Sequence, residues 1–190
     1  MADYVPLDIS PICNADKGIY DFDINPPVGN QSFYGLPFKI GTGDNGTHSF
    51  LGFGNEDGLY KSPVIVPVNS KAYNIIIAHT LLETRIYKGE PIGHTIADYV
   101  FRYADGDEVV VPIRERFEIS VFPLQWGQYP FLSVPDRKSS LIERYHGPWD
   151  QAGRRETEAD QGWPSAYFLW SWSNPKPDSE IREVEIRPAD

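Results

Sequence analysis

The stretch AYFLWSWSNPKPDSEIREVEI, Ala166–Ile186, decides how the chain is read. Phe168, Trp170 and Trp172 alternate with Tyr167, Leu169 and Ser171, a period of two that predicts a strand with two unlike faces. Two tryptophans one residue apart suit either a platform on which a sugar ring stacks or a strand that buries its large side chains. The flanking apolar residues favour burial, with the pair forming the floor of a sandwich. Asn174-Pro175 and Pro177-Asp178 then end the strand and turn the chain. Val184 and Ile186 fall on one face of a final strand.

Upstream, the same period recurs. Tyr73 to Leu82 is apolar on both faces, which predicts a strand in the middle of a covered sheet. In DYVFRYADGDEVVVPI, Tyr99, Phe101 and Tyr103 alternate with Val100 and Arg102. Asp105-Gly106 supplies a turn, and Val109–Ile113 returns as the partner strand. Phe117–Phe122, Ser32–Ile40 and Ser62–Val68 read as further strands. Pro37, Pro63 and Pro67 place the last two at edges, bulges or strand starts. With 16 glycines and 17 prolines spread between short β-branched and aromatic runs, and no convincing helical period, the pattern is that of one all-β domain spanning 1–190.

Charge excludes some partners. The net charge of −10 and the lack of a Lys/Arg cluster argue against nucleic acid. The apolar runs are too short to span a membrane. The start, MADYVPLDISP, shows no signal peptide, which points to a cytoplasmic protein; a secreted chain trimmed of its leader would read the same. Cys13 stands alone, excluding an internal disulfide, and lacks the basic neighbours that would activate it.

Pro123 to Ser165 differs from the rest. It holds three of the five tryptophans, many charges and little periodicity, so it predicts a long, partly irregular insertion and the place to look for a site. A pyranose offers C–H faces to aromatic rings and hydroxyls to amides, carboxylates and arginine. Tyr129, Tyr145, Trp149 and Trp163 supply such rings; Arg144, Arg154 and Glu156 supply such polar groups. Trp126, close behind the Phe117 strand, reads as structural.

Five stretches, VPLDISPICNAD, SFYGLPFKI, IIIAHT, DYVFRYADGDEVVVPI and WSNPKPDSEI, resemble the galactose-binding-like modules attached to bacterial carbohydrate-active enzymes. The resemblance implies a jelly-roll β-sandwich of two antiparallel sheets and an accessory, carbohydrate-binding role. It supports a fold more than a function. The insertion is longer and more charged than that family's connection, and no catalytic barrel accompanies the module in this sequence.

Other chemistries compete with this reading. Glu143, Asp150, Glu156 and His146, with Glu158 and Asp160, are the residues an enzyme acting on glycosides, a hydrolase or lyase, would draw on, since a glycosidase needs two facing carboxylates. The four histidines show no metal-ligand spacing, and His79 reads as a hydrogen-bonded core imidazole. No cofactor is called for. A structural calcium is the open alternative, with Asn14 and Asp16, or Asp44 and Asn45, as hard oxygen ligands, although the Asp-x-Asp-x-Asp-Gly spacing is absent. The aromatic insertion would equally suit a partner enzyme subunit or a homo-oligomer contact.

Overall fold

The computed structural model describes residues 3–20, 23–44, 47–124, 128–137, 140–144, 157–160 and 164–189, with 140–144 and 157–160 described as backbone only. Among these, the strands run β1 Gly29–Phe33, β2 Leu36–Ile40, β3 Val64–Ser70, β4 Asn74–His79, β5 Thr95–Tyr103, β6 Glu108–Arg114, β7 Ser133–Pro135, β8 Ser140–Arg144, β9 Thr157–Asp160, β10 Phe168–Ser173 and β11 Ile181–Pro188. Helical structure in the described residues is limited to three short 3-10 turns, so no helix there is long and apolar enough to cross a membrane.

The molecule is an all-β antiparallel sandwich. One sheet has the order β3-β11-β5-β6 and the other β4-β10-β7. Between them lies a core in which Val66, Tyr99, Phe101, Tyr103, Ile113 and Val184 from the first sheet meet Trp170 and Trp172 from the second. The Trp172 ring stacks on Phe101 at 3.6 Å between centroids and 6° between planes. Trp170 sits edge-on to Tyr99 at 6.1 Å. Both tryptophans are 6% exposed, so the WSW pair is the floor of the sandwich.

The opposite face of β10 is also covered. Tyr167 and Leu169 belong to a second core with Tyr20, Phe33 and Phe122, flanked by Phe38, Ile40, Phe50, Ile76 and Ala78. The β1–β2 hairpin and the N-terminal segment thus form a third layer over the β4-β10-β7 sheet. Its turn is Tyr34-Gly35, with φ of 55° and 82° at the two central residues, as a type I′ turn requires. Ser32–Ile40 is therefore two strands rather than the single strand its composition suggests.

This three-layer arrangement explains β4. Ile75 and Ile77 pack on the first core while Ile76 and Ala78 pack on the second, so the strand is apolar on both faces. The sequence predicts a central strand, but β4 pairs with β10 alone and forms an edge of its sheet. An apolar pattern reports what covers the faces of a strand, not which strands lie beside it. The β5–β6 hairpin forms as expected, with Gly106 at φ 94° and the loop closed by the Tyr103 N–H donating to Asp107 O at 2.9 Å. Pro67 and Pro112 lie on the edge strands β3 and β6, where a missing N–H costs no ladder bond.

Asn174, in the Trp-x-Asn-Pro ending, is a buried staple. Its Oδ1 accepts from the Tyr103 hydroxyl and from Lys176 N–H at 2.8 Å. Its Nδ2 donates to the carbonyls of Ala72 and Lys176 at 2.8 and 3.1 Å, tying the end of β10 to β5 and to the chain entering β4.

Candidate functional site

The insertion leaves the sandwich through a tight loop that follows β6. Phe117–Phe122, expected as a strand, is instead a turn with isolated bridges, Glu115 to Ile119 and Leu81 to Val121. The cause is Glu118, which is 4% exposed. Its Oε2 accepts Arg114 N–H at 2.9 Å and Nε–H at 3.1 Å, and its Oε1 accepts from the guanidinium at 2.6 Å. This bidentate, charge-assisted grip folds the chain back on itself. Arg116 takes φ 71° and donates its N–H to Ile119 O at 2.8 Å.

The loop locks onto the core through His79. The carbonyl of Glu118 lies 2.8 Å from Nε2, so that nitrogen carries the proton, and Nδ1 accepts from the Tyr99 hydroxyl at 3.0 Å. Burial pushes the imidazole down to about 4 from its ordinary 6.5. The unfolded chain takes up a proton near pH 6.5 that the folded one refuses, so stability present above 6.5 is lost as pH falls toward 4. The loss amounts to about 3 kcal/mol. Urea unfolding across that window, for the wild type and for His79→Gln, should show the steep fall in the wild type and a shallower one in the variant; parallel curves would refute the assignment.

A second buried pair lies on the same loop. His94 Nδ1 is 2.9 Å from Pro91 O, and its Nε2 is 3.3 Å from Glu115 Oε2, with side-chain exposures of 11% and 1%. Because the carbonyl can only accept, Nδ1 donates to it.

Aromatic residues cover this end. Arg114 lies over the Phe117 ring at 4.4 Å, and Phe131 meets Phe117 at 5.2 Å. The N–H groups of Phe131 and Leu132 donate to Arg116 O and Phe117 O at 3.0 and 2.9 Å. Ser120 Oγ–H donates to Gln128 O at 2.9 Å. The first leg of the insertion is thus laid along the loop.

The second leg is grafted onto a sheet. β7 pairs with β10, and Asp136, which follows it, closes a clasp. Its N–H donates to Tyr167 O at 3.0 Å, while its carboxylate accepts the N–H groups of Ser165, Ala166 and Tyr167 at 2.6, 3.2 and 3.3 Å. The side chain is buried, and burial holds its pKa above the usual carboxylate range despite the three donors. Asp136 joins the outgoing and returning chains, so the segment 137–164 starts and ends at one point on the sandwich.

That segment carries most of the expected site. Tyr145, His146, Trp149, Asp150, Arg154, Glu156 and Trp163 lie outside the described residues, as does Trp126. Glu143 and Arg144 fall in β8 and Glu158 and Asp160 in β9, which pair as an antiparallel ribbon. The register sets Glu143 opposite Glu158 and Arg144 opposite Thr157. The insertion is therefore less irregular than its composition suggests: it contributes β7, β8 and β9. Tyr129 is half-buried at its root.

Asn14 and Asp16 are brought together beside a shallow cleft of about 210 Å³ that His48, Glu56 and Asp57 also line. Both side chains carry backbone contacts. The Asn14 amide accepts Gly52 N–H at 2.7 Å and donates to Gly52 O and Gly58 O, and Asp16 accepts Gly18 N–H at 2.8 Å, capping a 3-10 turn. Among the described residues no three His, Cys, Asp or Glu side chains form a group that could hold a metal ion. Cys13 Sγ–H donates to Ile9 O at 3.4 Å, and burial pushes its thiol up to about 11, which leaves it unreactive at neutral pH.

The sequence does not announce Glu118 or Asp136: Phe117–Phe122 reads as a strand and Pro123 to Ser165 as an insertion, and neither pattern signals a carboxylate folded inward onto backbone N–H groups. Compared with protein-family models, with curated proteins and with solved structures, the chain gives no match.

Proposed function

We propose that this protein is a non-catalytic carbohydrate-binding module or accessory protein of a carbohydrate-active enzyme. The insertion carries its ligand contacts, with Tyr129, Tyr145, Trp149 and Trp163 as stacking rings and Arg144, Arg154 and Glu156 as hydroxyl partners. The observation that carries this reading is the root of the insertion. Both legs are fixed to a rigid sandwich, one along the Arg114–Phe122 loop and one through β7 and Asp136. Recognition groups on a loop held by a stiff scaffold lose less entropy on binding. The tryptophans of β10, by contrast, are consumed by the core and leave ring stacking to residues elsewhere.

A glycan array followed by calorimetric titration tests this directly. Binding of at least one oligosaccharide at millimolar concentration or below is the expected result; the absence of any heat with every array glycan would overturn the proposal.

A second reading, a subunit whose insertion end packs on another chain, is favoured by Leu132 and Val134, which are 54% and 49% exposed on and beside the edge strand β7. Light scattering decides it: a monomer mass at all concentrations, with no co-purifying partner, rules this reading out.

A further inference from the structure

We propose that Tyr34, at the tip of the β1–β2 hairpin, is a positioning residue for the insertion: it holds a costly backbone conformation so that its hydroxyl fixes the outgoing chain just past Asp136. Among the described residues, three non-glycine residues take a left-handed φ: Tyr34 at 55°, Asn69 at 47° and Arg116 at 71°. Asparagine tolerates that region because its short side chain bonds locally, whereas a long side chain there crowds its own backbone. The two costly cases both touch the insertion. Arg116 O accepts the Phe131 N–H at 3.0 Å on the first leg, and the Tyr34 hydroxyl donates to Arg137 O at 3.0 Å on the second. Backbone strain gathered at such places points to a function that the surrounding structure is built to hold.

Tyr34 departs from what its turn prefers. The first central position of a type I′ turn suits Asn, Asp or Gly, and Gly35 already fills the second. Burial does not account for the tyrosine, since it is 41% exposed. Its reach does. A shorter residue at the tip would carry no hydroxyl to Arg137, which lies 103 residues away in sequence and one residue beyond the Asp136 clasp. The hairpin is itself anchored to the returning chain: the Phe33 ring meets that of Tyr167 at 6.1 Å, and the Tyr167 hydroxyl donates to Pro27 O at 2.6 Å. The third layer therefore grips the chain on both sides of segment 137–164. Ligand contacts on that segment are presented from a fixed base, so part of the affinity is set by a residue outside those contacts; this last step rests on the carbohydrate-binding reading.

The test compares the intact wild type with Tyr34→Asn, which gives the turn its preferred pair, and Tyr34→Phe, which keeps the ring and removes the hydroxyl. Both variants should exchange amide hydrogens faster at residues 134–137, while β5 and β11 keep their protection. Tyr34→Asn should nevertheless melt no lower than the wild type, because the turn is relieved. Calorimetric titration with the oligosaccharide that binds the wild type best on a glycan array should show both variants weaker by about fivefold, the equivalent of one net hydrogen bond. A fall in melting temperature for Tyr34→Asn would mark the tyrosine as a fold residue and overturn the proposal. Wild-type exchange in both variants, or faster exchange with unchanged affinity, would overturn it as well. A wild type that binds no glycan overturns the carbohydrate-binding reading alone, and exchange at 134–137 then decides whether Tyr34 holds the chain.

Discussion

Trp172→Ala should unfold the sandwich or bring it close to unfolding, at a cost of about 3–5 kcal/mol. The ring is 6% exposed and lies flat on Phe101, which is fully buried in the facing sheet. Removing it opens a cavity between β10 and β5 that neither sheet can close, since Phe101 is fixed by β11 on one side and β6 on the other. A typical domain of this size has only about 5–15 kcal/mol in total. Trp172→Phe keeps an aromatic stack and should lose much less. Chemical denaturation of the three proteins gives the ranking wild type, Phe, Ala. A sugar platform would behave differently: its ring could be removed with little loss of stability, so an Ala variant as stable as the wild type would return the WSW pair to the surface.

Asp136→Ala should destabilise the protein by about 3 kcal/mol, because the backbone N–H groups of Ser165, Ala166 and Tyr167 lose their acceptor, the last two in a buried place. The damage should concentrate where the insertion rejoins β10, so hydrogen exchange at Ser165–Tyr167 ought to rise before that of β5 or β11. Asp136→Asn keeps one acceptor oxygen and should fall between the two. The pH dependence carries its own sign. The folded-state pKa is raised, so the contribution is complete below the ordinary carboxylate range and declines as pH rises through the raised value. Asn at this position removes that decline. Equal protection of 165–167 in wild type and Asp136→Ala would show that the clasp does not hold the insertion.

Much of this fold is legible in residue order, and the parts that are not have physical causes. The alternation of Phe168, Trp170 and Trp172 reports two unlike faces, and both are found covered, by different cores. His79 reads as a core imidazole because its neighbours are apolar, and its ring is accordingly held by Tyr99 and Glu118. Prolines mark the edge strands. The errors arise where one side chain outweighs local preference. Tyr34 adopts a left-handed conformation that composition does not announce, splitting one expected strand into a hairpin. Glu118 takes the backbone N–H of Arg114 and turns an apolar, strand-like run into a loop. β4 reads as central because the third layer, contributed by residues far away in sequence, covers its outer face, although it pairs with β10 alone and lies at an edge. For the candidate site, the sequence points to the insertion and its aromatic content but not to the clasp at Asp136, since a carboxylate's burial on backbone N–H groups is a property of the assembled fold.

The central claim is that the sandwich is scaffold and that recognition belongs to the insertion end. Its most direct test is calorimetric titration of the best-binding oligosaccharide into a Trp149→Ala, Trp163→Ala double variant, with melting followed in parallel. The account predicts that the double variant melts like the wild type and binds at least about tenfold more weakly. Unchanged affinity, or binding lost only together with the fold, would contradict it.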